Sequence, residues 1–186
     1  MSTADVFRRI TDCLKVANIA YMLTGSFASA HYGTSRATQD IDFVIEASDA
    51  QLRQFTEALS RAGYYVELNA ALEAQRRESL FNIIDKKTGW KIDFIFRKSR
   101  SFSRDEFSRR RTVTLQGLPV FVATAEDVII AKLEWAKLGE SRRQIEDVAA
   151  ILRIRRNKLD GAYLEKWIAD LGLGEQWSEA KRVAGT

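Results

Sequence analysis

One cysteine, one histidine and one proline stand among the 186 residues, and each scarcity removes a class of protein. Cys13 by itself closes no disulfide within the chain, so the fold must rest on its core. Cys13 and His31 together fall short of the roughly four Cys/His ligands of a structural zinc site. A Ser–His–Asp triad would have His31 as its single candidate base, and no spacing around it suggests one. Pro119 stands alone, so there is no Pro-rich linker. The longest uncharged apolar stretch, 16–30, is interrupted by Asn18, Thr24, Gly25, Ser26 and Ser29. It falls short of the roughly 20 apolar residues of a spanning helix. The opening MSTADVFRR lacks the basic-then-apolar order of a secretory leader. The expectation is a cytoplasmic protein with no membrane partner.

Hydrophobic residues make up 46% and charged residues 29%, a globular mix long enough for one domain or a domain with a small appendage. The net charge of +4 is unevenly placed. Residues 97–111 hold seven basic and two acidic side chains, and residues 142–158 hold six and two. Such blocks attract phosphates. They also occur as plain solvated faces, which composition alone favours.

Apolar residues at helical spacing predict a first helix over 4–17. A short buried strand follows at 19–23, then two helical turns over 27–32 closed by Gly33. Residues 40–46 read as a strand. Ser48 with Gln51 signals the capped start of a helix reaching 62. Strand signals recur at 64–68, 80–85, 91–96, 112–115 and 120–123, with hairpin connections at 86–90 and 116–119. From 124 onward the pattern is helical, with Thr124–Asp127 and Ser141–Gln144 as capping pairs and Asp160 as a further cap. The expected organisation is a mixed α/β part over 1–123 and a helical segment over 124–186 packed on it.

Asp40 and Asp42 share one face of their strand, about 6–7 Å apart. Two carboxylates there need a cation, because bare buried charge is costly. Magnesium suits such oxygens and leaves room for substrate phosphates. Paired aspartates can hold two ions that clamp the attacking and leaving oxygens of a phosphoryl-type transfer. Gly25–Ser26 lies where a strand turns into a helix, and a helix start offers free N–H groups to a phosphate. Asp93 falls mid-strand between Ile92 and Phe94, where carboxylates are rare. If its strand lies beside the Asp40–Asp42 strand, three carboxylates converge. Each feature has a plainer counterpart: a solvent-facing strand end, a turn with an N-cap, a partner for an arginine.

The sequence resembles the DNA polymerase β-like nucleotidyltransferase superfamily. The resemblance is carried by Leu23, Gly25 and Ser26, then Asp40 and Asp42, then the later strand residue Asp93. The run Arg36-x-Thr38-x-Asp40-Ile41-Asp42-Phe43 is similar to the small bacterial AbiEii-type branch, which includes toxin components of toxin–antitoxin pairs. Lys132 in its helix, and Arg143 with Asp147 in the next, are similar to that branch too.

The resemblance implies a nucleotidyltransferase-type mixed β-sheet packed with helices. It implies transfer of a nucleoside monophosphate from an NTP to a hydroxyl, with release of pyrophosphate. Asp40, Asp42 and Asp93 would hold Mg2+, two ions in all, and Asp93 would act as base. Gly25, Ser26, Arg36, Thr38 and Lys132 would bind the nucleotide. The acceptor stays open between RNA, a protein and a small molecule such as an antibiotic. An antitoxin-type protein is an implied partner. The alternative is a non-catalytic nucleotide- or partner-binding module of the same fold.

Overall fold

The computed structural model describes residues 3–34, 40–139 and 141–186. Its centre is a mixed seven-stranded sheet in the order β3-β4-β5-β2-β1-β7-β6. The strands are β1 (Ala20–Thr24), β2 (Asp40–Glu46), β3 (Tyr64–Tyr65), β4 (Leu80–Asp85), β5 (Lys91–Phe96), β6 (Arg111–Leu115) and β7 (Leu118–Val122). Helices α1 (Thr3–Val16), α2 (Gly25–Tyr32), α3 (Asp49–Arg61), α4 (Leu68–Arg76) and α5 (Ser101–Ser108) punctuate the strands. Then α6 (Ala125–Gly139), α7 (Arg142–Arg155), α8 (Gly161–Asp170) and α9 (Gly174–Ala184) follow β7. This is the expected mixed α/β architecture.

Alternation along the strands decides which face becomes core. Ile41, Phe43 and Ile45 of β2 and Ile92, Phe94 and Phe96 of β5 are buried on one face. There Phe94 stacks between Phe43 and Phe81, with centroids 5.7 and 5.3 Å away, and Phe55 of α3 meets it edge-on at 5.1 Å. Phe7 of α1 reaches Phe43 at 6.3 Å. This aromatic layer makes β2 and β5 a rigid pair, so residues on their opposite face are placed firmly.

Most local signals act as expected. Ser48 Oγ accepts from the Gln51 N–H at 3.4 Å, and Gln51 Oε1 accepts from the Ser48 N–H at 2.9 Å, forming the capping box of α3. Thr124 Oγ1 donates to Asp127 Oδ2 at 2.6 Å at the start of α6. Ser141 differs: its side chain makes no capping bond, and the Gln144 amide oxygen accepts from Lys132.

Three further readings are corrected. The strand expected over 64–68 is only Tyr64–Tyr65, and the chain then turns into α4, which buries Ala71, Leu72 and Ala74. The basic run after β5 contains α5, anchored by buried Phe102 and Phe107. Its charges mask that helical spacing in the sequence. The second hairpin loop is two residues, Gln116 and Gly117, rather than four. Both take left-handed backbone, the geometry of a tight I′ turn.

Candidate active site

β2 and β5 run parallel with Asp42 opposite Asp93 and Asp40 opposite Lys91. Neighbouring strands lie about 4.8 Å apart, so Asp42 and Asp93 stand side by side on the face away from the aromatic layer. Asp40 is on the same face, exposed at the strand end. β1 sets Thr24 opposite Asp42, and β4 sets Asn82 opposite Asp93. The row Asn82–Asp93–Asp42–Thr24 thus crosses four strands.

Burial pushes the Asp42 carboxyl up to about 6, helped by the charges of Asp93 and Asp40. Lys132 and the Ser26 N–H, which donates to Asp42, oppose that rise. Asp93 Oδ2 accepts from Lys91 Nζ at 2.9 Å. Its Oδ1 is buried and has no hydrogen-bond partner. Lys91 escaped the sequence reading, although its place two residues before Asp93 on the same strand face was a usable signal. Asn82 escaped it too, because only the β4–β5 register brings it beside Asp93.

Gly25 follows β1 directly and begins α2 with φ +63. A Cβ there would lie 2.0 Å from Asp42 Oδ2. Only glycine lets the first turn of α2 approach the carboxylate so closely. Ser29 Oγ then donates to the carbonyls of Gly25 and Ser26, both at 3.1 Å, and steadies that turn. Gly25→Ala should shift Asp42 or the helix start and weaken MgATP binding at least tenfold. Isothermal titration would check this, and an unchanged affinity would mean that the close approach is not used.

The remaining expected residues fall as follows. Arg36 and Thr38 lie outside the described residues. Lys132 is buried on α6, where its Nζ donates to Asp147 Oδ2 at 2.7 Å and Gln144 Oε1 at 3.0 Å. Its ammonium group ties α6 to α7 while its charge is still felt at Asp42. Asp85, the other acid of the β4–β5 hairpin, is fully buried and pairs with Arg9 on the opposite face of the sheet. The Lys87 N–H donates to its Oδ1 at 2.9 Å.

Among the described residues, no three His, Cys, Asp or Glu side chains form a ready-made metal cage. What the site does offer is an unsatisfied buried oxygen on Asp93, a neighbouring carboxylate destabilised by like charge, and a lysine acting as counter-ion. That donor set fits a hard divalent cation.

The basic run after β5 is largely engaged within the molecule. Arg97 pairs with Glu46 at 2.7 Å, and Arg100 grips Glu134 with two bonds of 2.6 Å. Arg109 faces Glu126 and Asp127 and lies 3.8 Å from the Tyr163 ring centroid. No helix among the described residues is long and apolar enough to cross a membrane.

The family model for aminoglycoside-2''-adenylyltransferase matches residues 6–100, just over half of the chain. The chain belongs to that family. Its members are nucleotidyltransferases, and the matched span runs from α1 to the end of β5, carrying Gly25, Asp40, Asp42 and Asp93. Solved structures agree on the fold. The antibiotic-resistance factor ANT(2'')-Ia has 12% identity and a TM-score of 0.53, over 100% of this chain and 91% of its own. The lincosamide antibiotic adenylyltransferase LnuA, solved with lincomycin bound, has 13% and 0.55, over 83% and 98%. A nucleotidyltransferase-like antigen from Paracoccidioides brasiliensis has 16% and 0.56, over 97% and 94%. No curated protein matches the chain.

Proposed function

We propose that this chain transfers a nucleoside monophosphate from an NTP to a hydroxyl of a small molecule, releasing pyrophosphate. The observation that supports this most is the pairing of Asp42 with Asp93 beneath the glycine start of α2. Asp40, Asp42 and Asp93 would hold Mg2+, two ions in all, which would supply charge neutralisation for the phosphates. Asp93 would take the proton from the acceptor hydroxyl. Its buried Oδ1 has no other bond to make. Gly25 and Ser26, at the start of α2, would hold the triphosphate, together with Arg36 and Thr38. Lys132 would act by its field and through Asp147 rather than by contact.

A small-molecule acceptor is favoured by the family, whose description names a small-molecule adenylyltransferase. The engagement of Arg97, Arg100 and Arg109 in ion pairs argues the same way, since it leaves little of a phosphate-tracking stripe for RNA. The AbiEii-type reading, with an RNA or protein acceptor and an antitoxin-type partner, rests on the sequence runs around Arg36 and Lys132. It is the second reading.

Pyrophosphate release from an NTP, with a cell extract as the source of acceptors, tests the proposal. Release should require Mg2+ and vanish in Asp42→Asn with Asp93→Ala. Binding of MgATP with no release from any NTP would support the non-catalytic module instead.

A further inference from the structure

A cavity of about 460 Å³ opens directly off the carboxylate face. Val44 and Ile95 line it, and they are the next residues on that face after Asp42 and Asp93. Thr24, opposite Asp42, lines it as well. The volume suits a drug-sized molecule, and Asp42 and Asp93 stand just outside it, two residues along their strands from Val44 and Ile95. On the far side stand Phe102 of α5 and Trp135 and Leu138 of α6. Trp135 is 57% and Leu138 79% exposed, one helical turn apart. Large apolar groups held open to water on a cavity wall are suited to covering an apolar ligand surface.

The charges around this cavity have one dominant sign. Arg97, Lys98, Arg100 and Lys137 line it, against Glu106 and Glu134. Both carboxylate oxygens of Glu134 are already taken by Arg100. Burial, with Asp127 adding to it, pushes the Glu106 carboxyl up to about 8, so at neutral pH it is largely uncharged. Arg97 is balanced by Glu46. Lys137 Nζ bonds the carbonyls of Leu171 and Gly172, groups without a formal charge to offset it. Lys98 is exposed. A polycationic acceptor would find no available carboxylate on these walls and would face two ammonium groups. An anionic group would meet Lys98 and Lys137, while an apolar body covers Trp135 and Leu138.

From this cavity, taken with the transferase reading above on which it rests, we infer that the acceptor is an amphipathic alcohol carrying an anionic group, not a polycationic aminoglycoside. The hydroxyl would be presented at Asp93, the apolar part against Trp135 and Leu138, and the anion at Lys98 and Lys137.

Three probes separate the terms: hexyl glucuronide (anionic), hexyl glucoside (neutral, with the same tail) and tobramycin (polycationic). Binding to the full chain would be measured by titration calorimetry at pH 7.5 with MgATP analogue present. Hexyl glucuronide should bind at least tenfold more tightly than tobramycin and several-fold more tightly than the glucoside. Lys98→Glu should abolish the preference for the glucuronide over the glucoside. Trp135→Ala should weaken both hexyl compounds about tenfold. Both side chains are exposed, so these variants should fold, and a thermal melt would verify that. Tobramycin binding as tightly as the glucuronide, no glucuronide binding, or a charge preference indifferent to Lys98→Glu would overturn the inference. MgATP binding by the wild-type chain is measured separately. Its absence would sink the transferase reading, whereas its presence without glucuronide binding would sink only the acceptor assignment.

Discussion

Asp42→Asn should make the chain more stable at neutral pH and at the same time remove magnesium-dependent nucleotide binding. The carboxyl of Asp42 titrates near 6 in the folded state, against an ordinary value of 3.8. The folded state therefore holds this proton more tightly than the unfolded chain does. The stability that follows is complete below the ordinary value and is lost as pH rises through about 6. Asparagine has no such ionisation and escapes the loss. The gain at pH 7.5 in a chelator should be about 1–3 kcal/mol. It should shrink towards zero near pH 3.5. In the wild-type chain the same ionisation is what a cation needs, so MgATP affinity should fall by up to about tenfold per pH unit below 6. Denaturant melts across pH, with calorimetric titration of MgATP, check both halves. A variant that loses stability at pH 7.5 and still binds MgATP would mean that Asp42 is a structural acid.

The two acids of the β4–β5 hairpin should behave in opposite ways. Asp93→Ala removes the group that we propose as the base, and the transfer rate should fall by about 10²-fold or more. Its stability should change little, since Asp93 has like charge beside it on Asp42 and only the half-exposed Lys91 as ion partner. Asp85→Ala instead takes a fully buried carboxylate from Arg9, whose side chain is itself mostly buried. Breaking such a pair should cost about 3–5 kcal/mol. The folded fraction should keep its transfer rate. Pyrophosphate release with the acceptor that supports the wild-type reaction, set beside denaturant melts, separates rate from stability. An inactive but stable Asp85→Ala with a normal Asp93→Ala would reverse these roles.

The candidate site residues were readable along the chain because each sits in a short local pattern. Asp40 and Asp42 alternate on one strand, Gly25–Ser26 marks a strand-to-helix turn, and Asp93 interrupts an apolar run. Period-2 alternation tells which strand residues share a face, whatever the strand's neighbours are. The capping box at Ser48 and Gln51 is equally local, and it formed as expected. Where charge overlay hid a helical period, as with Phe102 and Phe107 in α5, the local signal failed.

What the residues could not state by themselves was pairing. The sequence determined that Asp42 and Asp93 each present a carboxylate from a strand. Only the parallel β2–β5 register decided that they stand side by side. That register goes with the long-range stacking of Phe43, Phe94 and Phe81 on the other face. The same pairing of strands brought in Asn82, sent Asp85 to the opposite face and matched it with Arg9. Lys132 shows the limit from the other side. Its place on a helix was legible, yet its burial and its contacts depended on how α7 packs against α6. That packing gave it Asp147 and Gln144. Spacing along one element is written in sequence, whereas a contact between elements depends on the packing of the whole core.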